Sequence, residues 1–428
     1  MFYLEYGNVF GWDGRYALKS KSKIVAVVLL WLIPSGIFTA AFGYNWLKVW
    51  NGLTIHSMAP PFFDLRNVPA GVRTLRNGGD PLADNPTDPL HRPLNYPRIW
   101  VYTFVVLGIT EQNVWMIALL FAGLYLLCVS TLILRGNGIG NSVVLLLAGL
   151  SIAPLFALER GNTDLFLFAV LFLGCMLSKP SQRSGVFLVA TLLKLFPLVA
   201  LVAEAIRERG KNRIWPASAL VLAGVLLGAQ WKDLLLIQKG TPITNSASYG
   251  ILALRESLWV FLLGHAPWVR STYYVVLCVM LSCWIAGVLI AAARWRRPAK
   301  HEPGVLQSQA GDLFLVFGAI YAATFAIGSN WDYRLIFLIP TLPLALELAK
   351  RPGHSRWGIL YICSVLLAEN CVAFGGGYKS MLAQAFTVTT FFLIVAMLVE
   401  QLRSYIGSAT ATEPVGAEAE VANVGSVA

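Results

Sequence analysis

Long apolar runs set the rhythm of this chain. They fall at residues 24–44, 114–134, 143–158, 164–178, 186–204, 215–231, 268–293, 313–328, 335–349, 357–374 and 382–401, with a shorter run at 99–110. Short clusters of basic, Gly and Pro residues separate them. Roughly 20 apolar residues in a helix cross about 30 Å of hydrocarbon. A backbone in lipid has to satisfy its own hydrogen bonds, so it spans as helices or as a closed barrel. The runs are continuous and lack a two-residue alternation, which excludes a barrel. The pattern predicts an all-α, polytopic transmembrane helical bundle of about ten crossings, with additional short or re-entrant helices.

The positions of the basic residues orient these runs. Lys19, Lys21 and Lys23 precede the first run and place residues 1–23 in the cytoplasm. That run lacks a small-residue cleavage site, so it reads as a retained anchor. Residues 45–98 then form a large first outer loop. Residues 99–110 are too short to cross. Arg135, Lys179 and Arg183 mark cytoplasmic ends, which puts the turn 159–163 outside. The run 186–204 has basic residues at both ends and Pro197 inside, as expected of a re-entrant hairpin. A basic loop at 294–300 and the residues Lys350, Arg351 and Arg356 return the chain to the cytoplasm. The membrane domain covers 24–404. Residues 405–428 are Ala, Gly, Val, Ser and Glu without periodicity and read as a disordered tail.

Composition agrees with this patterning. Of 428 residues, 57% are hydrophobic and 13% charged, against about 25% charged in soluble domains. The net charge of +11 is a topology signal in such a chain and does not point to nucleic acid. The six cysteines lie in or beside apolar runs without metal-ligand spacing, and read as small buried hydrophobes. His56 and His91 read as surface residues.

The unusual polar residues collect on the outer side. "FFDLRN" (62–67) carries Asp64 and Arg66, with Pro60, Pro61, Phe62 and Phe63 before them. "GGDP" (78–81) carries Asp80 in a turn. "NYPRIW" (95–100) holds Tyr96 and Arg98. "LERGNTDLF" (158–166) holds Glu159, Arg160, Asn162 and Asp164. "SNWDYRLIF" (329–337) holds Asp332, Tyr333 and Arg334. Residues 143–158 make a helix of about 24 Å, interrupted by Pro154, so the charged turn after it is recessed in the bilayer. A self-neutralising turn at the interface is the plainer alternative. Asp332 and Arg334 either grip an anionic ligand or pair to anchor a helix end. Lys194, in the middle of an apolar run, has to snorkel, pair or face a cavity. The flanks of Asp64 distinguish it from an ordinary solvated loop acid.

These segments, in this order, resemble the GT-C superfamily of polytopic glycosyltransferases, and glycosyltransferase family 87 in particular. That family includes polyprenol-phosphate-mannose-dependent mannosyltransferases. The resemblance spans most of residues 20–400. It rests on the cytoplasmic N-terminus, an acid soon after the first span, "GGDP…NYPRIW", the "GNTD" turn and "LLKLFPL" (192–198). Arg98 stands where the family often has a second Pro.

The resemblance implies an inverting hexosyltransferase that takes its sugar, mannose among the options, from a polyprenyl-phosphate donor. The acceptor is a lipid-linked glycan or another extracytoplasmic acceptor. It makes Asp64 the general base, with Asp80 as the competing acid. Arg66, Arg98, Arg160, Lys194 and Arg334 are the cations for the phosphate, and Tyr96, Asn162, Asp164, Asp332 and Tyr333 further substrate contacts. It implies no metal, no cofactor, no nucleotide-sugar domain and no nucleic acid. Its partners are membrane lipids and lipid-linked sugars, and its place is the plasma (inner) membrane with the site outside. A lipid-linked polysaccharide polymerase or ligase remains an alternative. A transporter is a weaker one, because it predicts internal pseudo-symmetry and polar residues at mid-membrane in both halves.

Overall fold

A computed structural model describes residues 21–241, 247–265, 306–371 and 378–410. The expected span at 268–293, the basic loop at 294–300 and most of both termini lie outside the described residues. The described chain is mostly helical, and its strands among the described residues are two paired two-residue segments, β1 (Ser248–Tyr249) and β2 (Asn330–Trp331), which run antiparallel. Five helices are long and apolar enough to cross a membrane, or six when one bent pair is counted as a single span. Their outward faces carry large exposed hydrophobics such as Val221 and Val225. Such faces are unstable in water and natural against lipid. The protein is an all-α helical membrane protein.

The first span, α1 (Lys21–Gly43), leads through Asn45, which caps the short α2 (Trp46–Gly52) by accepting from Lys48 N–H. The chain after α2 then folds as a cap built on α3 (Asn67–Arg76). Asp88 is its hub. Its carboxylate accepts from Asn67 Nδ2, from the backbone N–H of Leu90 and Arg92, and from the Arg92 guanidinium. The segment 99–110 is a short helix, α4 (Arg98–Val106), of 9 residues. α5 (Val114–Arg135) is a full span.

The run 143–158 is two helices, α6 (Ile139–Gly149) and α7 (Ile152–Arg160), bent by 44°. The break sits at Leu150–Ser151, before Pro154, which is accommodated in the first turn of α7. Non-helical backbone at membrane depth needs internal partners. Tyr125 OH donates to the Gly149 carbonyl at 3.1 Å, and Ser151 Oγ donates to the Ala148 carbonyl at 2.8 Å.

α8 (Thr163–Met176) and α9 (Pro180–Leu193) follow, then α10 (Leu198–Arg207). The run 186–204 is thus broken at 194–197, as Pro197 implied. At the opposite end of this hairpin, Arg183 and Arg207 share Glu204 and Asp312 in a buried ion-pair network. α11 (Ile214–Ala229), α12 (Trp231–Gly240) and α13 (Ile251–His265) precede the long α14 (Gln309–Ile327).

The expected α-helical span at 335–349 is different in kind. Residues Asp332–Thr341 wind as a 3-10 helix, and only α15 (Leu342–Ala349) is α-helical. Pro340 removes an i→i−4 donor and its ring opposes an α-helix through the preceding turn. α16 (Ser355–Cys371) and α17 (Tyr378–Thr410) complete the bundle. The last helix continues past residue 405, where the sequence pattern set the start of the tail. Cys175 is buried as expected, whereas Cys363 is exposed.

Candidate functional site

Phe62 holds the start of the site. It has φ +59, a region costly for a bulky L-residue. Burial against Phe38, Phe42 and Trp46, with ring centroids 5.9, 5.9 and 5.2 Å away, keeps it there. The turn that follows presents Asp64 to a cavity of about 820 Å³, within the range usual for small-ligand sites.

Three donors surround the Asp64 carboxylate. Arg92 Nη1 lies 3.3 Å from Oδ1, Arg160 Nη1 lies 3.7 Å from the same oxygen, and Asn162 Nδ2 donates to Oδ2 at 3.2 Å. Arg92 is itself fixed. It pairs with Asp88, donates to the Phe63 carbonyl at 3.1 Å and lies over the Phe63 ring at 4.1 Å. Burial opposes the charge on Asp88, yet the hydrogen bonds from Arg92 and Asn67 prevail and hold its carboxyl below the ordinary range.

Arg160 reaches the cavity because Glu159 anchors its neighbourhood. Glu159 Oε1 accepts from Trp46 Nε1 at 2.9 Å, Ser57 Oγ at 2.8 Å and Met58 N at 3.2 Å. Its other oxygen lies 3.0 Å from Arg160 Nε. The anchor ties α2 and the turn after it to the end of α7. Gly161 then turns the chain in the left-handed region, φ +59, and Asn162 caps α8 by accepting from Asp164 N–H at 2.9 Å.

A second charge cluster lies beside the cavity. Asp164 is fully buried and pairs with Lys194 Nζ at 2.6 Å and Arg334 Nε at 3.0 Å. Lys194 sits over the ring of Tyr96 at 5.2 Å, and Tyr96 and Tyr333 both line the cavity. α8 and α9 have 14 residues each, about 21 Å of helix, well short of the hydrocarbon thickness.

The structure thus brings together Asp64, Tyr96, Arg160 and Tyr333 on one cavity. Asn162 stands behind Asp64, and Asp164, Lys194 and Arg334 form the adjoining triad. Other expected site residues are elsewhere. Arg66 turns away, donating to the carbonyls of Pro61 and Glu111 at 2.8 and 3.2 Å. Arg98 pairs with Asp233 at 2.7 Å and Asp80 at 2.9 Å, and tethers α12 to the loop that carries Asp80. Its hydrogen bond holds Asp80 below the usual carboxylate range. Neither Arg98 nor Asp80 lines the cavity. Asp332 is buried off the cavity, its N–H donating to the Ala247 carbonyl. Glu159, Arg160 and Asp164 do not form one self-neutral turn, and Arg334 pairs with Asp164, not Asp332.

Sequence reasoning missed Arg92 and Asp88. One available signal was their i, i+4 spacing with opposite charge in a loop otherwise rich in Arg. Among the described residues, no group of three His, Cys, Asp or Glu converges as a metal ion requires. No protein-family model matches the chain, and no curated protein matches it in sequence.

Proposed function

We propose that this protein is a GT-C-like membrane glycosyltransferase. It moves a hexose from a polyprenyl phosphate to an extracytoplasmic glycan acceptor, with inversion. About ten crossings, both ends in the cytoplasm and the cavity facing outward across the plasma membrane complete the proposal.

The observation that carries it is a cavity lined by Asp64 and adjoined, through Tyr96, by the Asp164–Lys194–Arg334 cluster. By formal charge, Asp64, Asp88 and Glu159 against Arg92 and Arg160 leave one surplus negative charge. Asp164 against Lys194 and Arg334 leaves one surplus positive charge behind Tyr96 and Tyr333. Inverting transfer needs a base on one face of the sugar and charge stabilisation at the leaving group on the other, the roles this reading gives to Asp64 and to the adjoining Lys194 and Arg334. The acceptor oxygen forms its bond to the anomeric carbon as the bond to the phosphate oxygen breaks. The acceptor proton passes to Asp64, and the lipid phosphate departs with the electron pair. Cations fixed in advance on the leaving-group side stabilise that growing charge, a contribution on the order of 10²–10³ in rate for each donor. Arg92 and Arg160, already in contact with Asp64, position the base.

The test is sugar transfer by the purified protein in liposomes containing polyprenyl-phosphate hexoses. Asp64→Asn should lower turnover by about 10²-fold or more. Arg334→Gln should weaken donor use. A folded Asp64→Asn protein with wild-type turnover removes the assignment.

A further inference from the structure

Glu369 lies in α16, is fully buried, and has no part in the proposed reaction. Its Oε2 is 3.0 Å from Ser151 Oγ, at the break between α6 and α7. Its Oε1 is buried and has no hydrogen-bond partner. Among the described residues, no Lys, Arg or His pairs with it. The titratable groups that face it there are two phenols. Tyr125 OH donates to the Gly149 carbonyl, and Tyr361 OH shares a hydrogen bond of 2.6 Å with Thr341. Neither phenol is charged at neutral pH.

Counting protons around Ser151 assigns one to Glu369. The Ser151 hydroxyl has a single proton to give. It stands 2.8 Å from the Ala148 carbonyl and 3.0 Å from Glu369 Oε2. With an ionised Glu369, one of these contacts sets two oxygens together without a proton between them. With a neutral acid, Glu369 donates to Ser151 Oγ while Ser151 donates to Ala148, and both contacts are hydrogen bonds. Burial acts in the same direction, because a carboxylate without a counter-charge is costly there and takes up a proton instead. The N-terminus of α7 is the element at the break that favours a carboxylate, yet Oε1 accepts no N–H from it. Ser151 occupies the N-cap of α7 without capping through its side chain, so its hydroxyl is committed to this link.

From this proton count we infer that Glu369 is a neutral acid that locks the α6–α7 bend through Ser151, and is thereby a positioning residue for the far end of α7. That helix has 9 residues, a short rod of about 14 Å whose direction is set where it begins. It ends in Arg160, which lines the cavity, and Asn162 follows directly. The lock does not rest on the transferase assignment and is readable without turnover.

The experiment is infrared difference spectroscopy and hydrogen exchange on the full-length protein in detergent, in sodium and in choline buffers. Wild type minus Glu369→Gln should show the carbonyl stretch of a protonated carboxyl at neutral pH in both buffers, and Ser151→Ala should shift that band. Exchange over residues 149–160 should quicken about tenfold in Glu369→Ala, the scale of one lost hydrogen bond. Glu369→Gln, an uncharged donor of the same shape, should stay within about twofold of wild type. Where Glu369→Ala does not fold, Ser151→Ala carries the exchange comparison. Carboxylate stretches in place of the carbonyl band overturn the inference. So does a carbonyl band seen only without sodium, which would make Glu369 a cation ligand. Exchange as fast in Glu369→Gln as in the alanine variants overturns it too, as does exchange unchanged in all of them.

Discussion

Asn162 and Asp64 are 98 positions apart in the chain, and the Asn162 amide donates to the Asp64 carboxylate at 3.2 Å. The same amide accepts the N–H of Asp164 through its oxygen. One side chain therefore caps α8 and orients the proposed base. The two roles separate by substitution. Asn162→Ser keeps a capping oxygen but is too short to reach Asp64. It should leave stability within about 1 kcal/mol. Transfer should fall on the order of 10²-fold, as misplacement of a reacting group does. Thermal unfolding and turnover, measured on the same preparation, check this. A parallel loss of both would make Asn162 a structural cap alone.

The Asp164 triad predicts an asymmetry between its members. Asp164→Asn leaves Lys194 and Arg334 buried without a counter-charge and should cost about 3–5 kcal/mol. Lys194→Met leaves the Asp164–Arg334 pair neutral and should cost less. Denaturation midpoints of the two variants in one detergent decide the order. The reverse order would mean that Lys194 supplies more than charge balance.

Asp88 makes the cap around α3 sensitive to acid. Its carboxyl is held below its unfolded value of about 3.9. The stabilisation is thus present above that value and is lost as pH falls below it, through the folded value. Hydrogen exchange over residues 67–96 should accelerate below about pH 4 in the wild type. Asp88→Asn should exchange faster already at neutral pH, by about 1–3 kcal/mol of local stability, with little further change in acid. An unaltered acid response in that variant would move the effect to another group.

Gly161 is required by its backbone and by its neighbours. A Cβ there would lie 3.0 Å from the Cβ atoms of both Ala118 and Phe62, at φ +59. Gly161→Ala should destabilise by about 1–3 kcal/mol. Because Phe62 sets the turn that presents Asp64, transfer should fall as well. Full turnover in this variant would show that the turn tolerates displacement.

Legibility along the chain followed the range of the interactions. The limits of the first span, of Val114–Arg135 and of the hairpin break near Pro197 were readable, because hydropathy and proline chemistry act within a few residues. The 3-10 winding of Asp332–Thr341 was not, although Pro340 was visible, because an apolar run looks the same in either helix. Asp64 stood out by its apolar flanks. Arg66 and Arg98 looked equally suitable beside it, and only the structure turns them to other partners, the Pro61 and Glu111 carbonyls and Asp233.

By itself, the sequence determined an all-α membrane protein whose unusual polar residues cluster at helix ends. Apolar length and backbone satisfaction in lipid leave few other outcomes. The tertiary structure alone decided which charges meet. Asp164 finds Lys194 thirty positions away and Arg334 170 positions away, and Asp64 finds Arg92 and Arg160 from separate elements. Such pairs arise where helix ends converge in space, and hydropathy along a chain carries no record of that convergence.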